Sequence, residues 1–88
     1  MIYLVLLNLG AAEDTYPNLI GYLKSFNYWA RPMPNVWFID TYEYSSTIRD
    51  GVANMINPSD KAVVIEVGKN WASRNINSII TDWMKKNI

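Results

Sequence analysis

The chain has 88 residues, with eight basic and eight acidic side chains and therefore no formal net charge. A chain of this length supports one core, so residues 1–88 are predicted to form a single domain. The absence of cysteine excludes disulfides and thiolate metal sites, and the absence of histidine removes the commonest general base and zinc ligand. Zero net charge argues against strongly electrostatic nucleic-acid binding but leaves room for a local basic patch.

The first segment, MIYLVLLNLG, is apolar but too short to span a bilayer, and no basic region precedes it as in a signal peptide. We therefore expect no membrane association and a cytoplasmic location. Residues 2–9 predict a β-strand that is apolar on both faces except at Asn8.

Three elements are predicted next. The stretch GAAEDTYPN ends the strand, and Asp14 or Thr15 is expected to cap a helix with Pro17 in its first turn. Residues 28–33 and 36–41 then read as two strands separated by Pro34 and Asn35. Proline cannot donate to a ladder, so the earlier of the two strands belongs at a sheet edge. The apolar face of the helix comprises Leu19, Ile20, Leu23 and Phe26.

The second half of the chain predicts a helix, a strand and a helix. Ser45 or Ser46 is expected to cap the first of these helices, NPSD to end it, and residues 62–67 to form the strand. Ser73 is the expected cap of the last helix, whose final turn carries Lys85 and Lys86, where the helix dipole favours positive charge. The predicted buried side chains are Ile48, Val52, Met55 and Ile56 in the first helix, and Ile76, Ile79, Ile80, Trp83 and Met84 in the last.

The order βαββαβ followed by a helix predicts an α+β fold, namely a ferredoxin-like sandwich with an additional C-terminal helix. The first and third strands would be central, and two helices would cover one face. Either the last helix or a second subunit must then cover the other face of the doubly apolar first strand. This pattern favours a homodimer.

Six stretches in order over nearly the whole chain carry a family resemblance: IYLVLLNL, DTYPNLIGYLKSF, NVWFIDT, STIRDGV, PSDKAVVIEV and WMKK. With them the chain resembles the superfamily of the CRISPR-associated adaptation subunit and virulence-associated protein D, and most closely its stand-alone SinR-like small proteins. The resemblance implies small homodimers, some of them metal-dependent nucleases on RNA or DNA. In those nucleases, aspartates that end the first strands of two subunits are thought to hold one magnesium ion.

This chain departs from that pattern at the metal position. Asn8 stands where the aspartate is expected, Leu7 replaces the aromatic residue that often precedes it, and Arg31 lies where stand-alone members often have histidine. An amide offers only a neutral oxygen to magnesium. The alternative role for Asn8 is to end the strand and satisfy backbone groups in the following turn. No residue is therefore assigned as catalytic.

A metal ion has weak candidate ligands in Glu13 and Asp14, which follow the first strand and could help Asn8 bind a cation. A solvated loop explains these two acidic residues more simply. We expect no cofactor, with magnesium as the alternative.

Two groups of residues are candidates for binding nucleic acid or a partner. Trp29, Arg31 and Trp37 lie on the aromatic strand pair and could stack on bases, with core or dimer packing as the alternative. Alternation along the strand places Trp29, Arg31 and Met33 on one face. The second group is Lys69, Trp71 and Arg74, which could form a phosphate-and-base site. Alternatively, Trp71 anchors the connection while the basic side chains stay in water.

The resemblance, combined with Asn8 at the metal position, implies a dimeric, non-catalytic protein of nuclease-type fold that binds nucleic acid or a protein partner in a prokaryotic or mobile-element defence system. One alternative is a metal-dependent endoribonuclease or endonuclease. Another is an inhibitor or subunit mimic that acts by protein–protein interaction.

Overall fold

The computed structural model describes residues 1–88 as an α+β fold with one four-stranded antiparallel sheet in the order β2-β3-β1-β4. The strands β1 and β3 are therefore inner strands, and β2 and β4 are edges. A short 3-10 helix, Glu13–Thr15, precedes the first α-helix. The element bounds are β1 Ile2–Asn8, α1 Pro17–Lys24, β2 Tyr28–Met33, β3 Val36–Asp40, α2 Ser45–Ala53, β4 Lys61–Glu66 and α3 Ser78–Asn87.

Helices α1 and α2 cover one face of the sheet. Val5 of β1 and the β3 side chains Trp37 and Ile39 are fully buried on this face, against helix residues that are equally inaccessible. Fully burying a side chain of this size stabilises the fold by about 1.5–3 kcal/mol. The fully buried helix residues are Leu19 and Leu23 of α1 and Ile48 and Val52 of α2.

Helix α3 packs on the opposite face. Met84 is buried there in a second cluster with Ile2, Ala30 and Phe38, and the rings of Phe38 and Trp83 lie 6.0 Å apart between centroids. The sequence left open whether the last helix or a second subunit covers this face. In the single chain, α3 lies on it. The doubly apolar character of β1 follows from having helices on both sides.

Helix α3 does not fully cover the edge strand β4. Val63 and Ile65 of β4 remain 51% and 48% exposed. They are the register partners of Leu6 and Leu4 in β1, so all four side chains share the face on which α3 lies. We call the exposed pair Val63 and Ile65 the bare strip.

The predicted helix caps are wrong for all three helices. Helices α1 and α2 begin after Tyr16 and Tyr44, and neither helix has a side-chain cap, so Asp14, Thr15, Ser45 and Ser46 do not serve as caps. The Thr15 hydroxyl instead donates to the carbonyl oxygen of Ala12.

The third helix begins later than predicted. Asn77 caps it by accepting a hydrogen bond from the backbone N–H of Ile79 at 2.8 Å, while Ser73 lies in the preceding loop. With this start Ile79 points to solvent and is 76% exposed, so it does not belong to the buried side.

The edge strand β2 contains an irregularity. The pairing register with β3 shifts between Ala30 and Met33, in a segment where Pro32 has no N–H to donate. Met33 consequently pairs with Val36 and lines a groove with Leu4, on the α3 face. The prediction that Met33 shares a face with Trp29 and Arg31 is therefore wrong.

None of the helices has the length and apolar character that crossing a bilayer requires.

Candidate functional site

Glu13 is a buried carboxylate that joins the 3-10 helix to the β2–β3 hairpin. Its side-chain oxygen Oε2 accepts hydrogen bonds from the backbone N–H of Asn35 at 2.9 Å and from Nε1 of Trp37 at 3.0 Å. Its other oxygen, Oε1, pairs with the guanidinium of Arg31. Because Glu13 is only 6% exposed and both oxygens are engaged, it cannot serve as the free metal ligand that the sequence suggested.

The two strands of the aromatic pair differ, since β3 is mostly buried and β2 is mostly exposed. Trp37 has no exposed surface, which excludes it as a base-stacking residue and fits the packing alternative. The guanidinium carbon of Arg31 lies 5.4 Å from the Trp37 ring centroid, and Trp29 lies 5.5 Å from the same indole between centroids. Trp29 is 37% exposed, and the ammonium of Lys24 sits 5.4 Å from its ring. Arg31 and Trp29 therefore lie beside the buried Trp37 at the surface, and each is more than a third exposed.

Asn8 ends β1 as an exposed side chain that makes no hydrogen bond. It does not satisfy the following turn as predicted, because the N–H of Gly10 donates instead to Oδ1 of Asp60 at 2.7 Å. Lys61 of β4 is its direct register partner. A lysine beside Asn8 disfavours a divalent cation there. Asp14 is exposed, and no group of three acidic side chains lies close enough together to hold a metal ion.

Asp60 accepts several hydrogen bonds and forms a polar junction that was not predicted from the sequence. Its Oδ2 accepts from the hydroxyl of Tyr16 at 2.8 Å and from the backbone N–H of Asn57 at 2.9 Å. Together with the bond from Gly10, these bonds tie the turn before β4 to the segment after β1 and to the start of α1. The signal was present in the segment NPSD, where an aspartate three residues after an asparagine can close a turn.

The junction shifts the pKa values of both side chains. The backbone hydrogen bond from Asn57 is the main cause that lowers the pKa of Asp60, against the opposing effect of burial, and the Tyr16 hydroxyl lowers it further. The hydrogen bond to the Asp60 carboxylate raises the pKa of Tyr16 above its usual value, since losing the phenolic proton would break that bond.

Lys69, Trp71 and Arg74 do not converge on one pocket. Trp71 is half-buried and packs against the second core cluster, so it anchors the β4–α3 connection. Arg74 is exposed beside the groove lined by Phe38 and Met84, whereas Lys69 lines a different cavity at the end of α3. The structure therefore fits the anchoring alternative for Trp71.

The zero net charge conceals two oppositely charged segments of unequal length. Residues 61–88 carry five basic and two acidic side chains, whereas residues 1–60 carry three basic and six acidic ones. Four of the five basic residues lie on or beside α3, are exposed and make no ion pair. Lys69 shares a cavity with Asn87 and Ile88, which directly follow the two lysines of the last turn. We call these four residues the basic surface: Lys69, Arg74, Lys85 and Lys86.

Glu13 and Asp60 thus form the main polar contacts within the fold. On the exterior, the basic surface stands out by its charge. Comparisons with protein-family models, with curated proteins and with solved structures find no match to this chain. The resemblance to the CRISPR adaptation-subunit superfamily therefore stays a prediction.

Proposed function

We propose that this protein binds nucleic acid without cleaving it, through the basic surface around α3. The observation that carries the proposal is the segregation of charge: residues 61–88 have a surplus of three basic side chains in a chain with no net charge. Exposed and unpaired lysine and arginine side chains attract phosphates even in a protein with no net charge.

The four basic side chains are better suited to binding the phosphate backbone of a nucleic acid than to recognising its bases. Lysine and arginine contacts to phosphate position a protein on nucleic acid without reading its sequence. The one aromatic ring among them, that of Trp71, is partly buried in the second cluster and has little surface left for stacking. We therefore expect moderate affinity, weak sequence preference and strong salt dependence.

The residues near the end of β1 support a non-catalytic role. Asn8 supplies no charge to a metal ion, and Glu13 is already bound by Arg31, Trp37 and Asn35. A metal-dependent endonuclease, the alternative, would depend on Asp14 together with acidic residues of another subunit.

Family and fold are part of the same proposal. With β1 and β3 as inner strands and α1 and α2 packed on one face, the sheet order is compatible with a ferredoxin-like sandwich to which α3 has been added. On this arrangement and the sequence resemblance, we assign the chain to the CRISPR adaptation-subunit-like superfamily and to a prokaryotic or mobile-element defence system.

Charge reversal on the last turn of α3 tests the binding proposal. Fluorescence anisotropy with a labelled single-stranded RNA and a DNA of the same sequence would be measured at low salt for the wild type and for Lys85→Glu/Lys86→Glu. We expect the double variant to weaken binding at least about tenfold, because each charged contact is lost and replaced by repulsion. Lys24→Glu, an exposed basic residue on α1, is the matched control and should leave affinity within about twofold. Equal affinities for all three proteins would contradict the proposal.

A second candidate function, self-association, is favoured by the bare strip at the open edge of the sheet. Strand β4 has no partner on its outer side, and Val63 and Ile65 are about half exposed on it. A two-fold axis beside Val64 would continue the sheet into a second copy and place Val63 opposite Ile65 of the partner subunit. We propose a homodimer formed in this way.

Light scattering at micromolar concentration tests the dimer. We expect twice the chain mass for the wild type and a monomer for Ile65→Lys. Ile79→Lys makes the same change at an exposed position on α3 and should stay dimeric. A monomeric wild type would contradict the dimer. A native pull-down that recovers another protein after nuclease treatment would instead favour an inhibitor or subunit mimic.

A further inference from the structure

We infer that a cleft at the end of the sheet opposite Asn8 binds an organic ammonium cation, a site separate from the basic surface and independent of the function proposed for it. The cleft lies between the end of α1 and the segment that follows β3, and has a volume of about 430 Å³. Its aromatic and acidic lining residues are Tyr22, Phe26, Tyr28, Tyr42, Asp40 and Glu43. We call it the tyrosine cleft.

Four aromatic rings line the tyrosine cleft, and two of them are unusually open to solvent. Tyr28 is 57% exposed and Tyr42 is 96% exposed. At the inner side, Tyr22 and Phe26 pack edge to face, with centroids 5.3 Å apart and an interplanar angle of 74°. Aromatic faces carry negative potential and attract cations. A ring such as Tyr42, which packs on nothing, has its faces free for a ligand.

The charged side chains that line the cleft are both acidic. Asp40 and Glu43 are both in the lining, which contains no lysine or arginine. Asp40 already accepts a hydrogen bond from the α-ammonium of Met1 at 3.2 Å, so its carboxylate is partly neutralised. The Glu43 carboxylate makes no ion pair and no hydrogen bond, which leaves it the uncompensated charge at the site.

The surroundings do not supply a competing side-chain cation. Lys24, the basic residue of α1, lies over the ring of Trp29 at 5.4 Å and is not part of the lining. Burial raises the pKa of Tyr22, and the negative charge of Glu43 raises it further.

Aromatic faces combined with one carboxylate select a particular ligand chemistry. A quaternary ammonium has no N–H to donate, so it gains little from polar pockets and most from ring faces and a nearby negative charge. A trimethylammonium group fits the volume and leaves space for an attached chain. The group could belong to a free small molecule or to a trimethylated lysine of a peptide, which share this chemistry.

The probe for the site is tetramethylammonium chloride, titrated against the intact protein by NMR at constant ionic strength, with tert-butanol as a neutral compound of similar shape. We expect saturable shifts of tyrosine ring signals with the cation and none with the alcohol. Tyr42→Ala and Glu43→Gln should each weaken binding about fivefold or more, since each removes one attractive group. Tyr44→Ala removes another exposed tyrosine, 76% exposed but outside the cleft, and should leave binding unchanged.

The result that would overturn the inference is no saturable binding, equal shifts with tert-butanol, or binding that neither cleft variant weakens. Choline and an acetylated trimethyllysine amide, titrated in parallel, distinguish the two sources of the group. Tighter binding of choline than of tetramethylammonium supports a small-molecule ligand, and tighter binding of the lysine derivative supports a peptide. Circular dichroism of the variants confirms that the exposed substitutions leave the fold intact.

Discussion

The indole Nε1 of Trp37 donates a hydrogen bond to Oε2 of Glu13 at 3.0 Å between two buried side chains. This contact holds an acidic residue of the 3-10 helix after β1 against the inner strand β3. With the guanidinium of Arg31 on its other oxygen, Glu13 fixes the β2–β3 hairpin relative to the start of α1. The pair explains why an acidic residue that follows a first strand need not be a metal ligand.

Removal of the Glu13 carboxylate is expected to destabilise the fold strongly. Glu13→Ala leaves the Trp37 indole N–H and the Asn35 backbone N–H without their acceptor, and removes the partner of Arg31. Losses of this kind cost about 3 kcal/mol. The free energy of unfolding from urea titration measures the effect. Asp14→Ala, the adjacent exposed acid, should change it by less than about 0.5 kcal/mol. Comparable small effects for both variants would show that the contact contributes little.

Acid should weaken the junction around Asp60. Because the folded-state pKa of Asp60 is lowered below its ordinary value of 3.8, its contribution is complete above that value and is lost as the pH falls through the lower, folded pKa. Asp60→Asn should therefore cost stability near neutral pH and progressively less as the pH drops below the ordinary value. Urea titrations of both proteins at about pH 7 and about pH 3 measure the difference. A gap that stays constant or widens in acid would be inconsistent with this role.

Alanine substitution at two helical glycines should change the stability of the protein in opposite directions. A Cβ at Gly21 of α1 meets nothing within 4 Å, so Gly21→Ala should stabilise the protein by about 0.5–1 kcal/mol through helix propensity. A Cβ at Gly51 of α2 would lie 2.6 Å from Cζ of Tyr22, so Gly51→Ala must displace that ring and should be destabilising by about 1 kcal/mol or more. Thermal unfolding of the two variants provides the comparison. Stabilisation by both substitutions would mean that Tyr22 moves aside without cost.

The periodicity of apolar residues predicted most of the fold. Leu19, Leu23, Ile48 and Val52 repeat at helical spacing and are all fully buried, and the doubly apolar β1 is an inner strand with helices on both faces. The caps were predicted less well because serine and threonine near a helix start are common, whereas the hydrogen bond that defines a cap depends on local backbone geometry. Asn77 forms that bond, and Ser73 does not reach the helix.

The candidate site was harder to predict because it depends on long-range contacts. Nothing in the local sequence indicates that Glu13 meets Trp37 or that Asp60 meets Tyr16, since each pair is joined only when the sheet and helices assemble. The irregularity in β2 moved Met33 to the opposite face, which no alternation rule anticipates. The charge separation between residues 1–60 and 61–88 could have been read from the sequence, but a total of zero hides it.

The salt dependence of nucleic-acid binding tests the central claim most directly. Anisotropy titrations of a labelled single-stranded RNA at increasing salt, with magnesium present, give the slope of log affinity against log salt, and a gel of the same samples reports cleavage. Four phosphate contacts from the basic surface predict a slope of about −3, reduced to about half by Lys85→Glu/Lys86→Glu, with the RNA intact. Binding that is absent at low salt, a slope that the double variant leaves unchanged, or magnesium-dependent cleavage of the RNA would contradict a non-catalytic protein that binds through this surface.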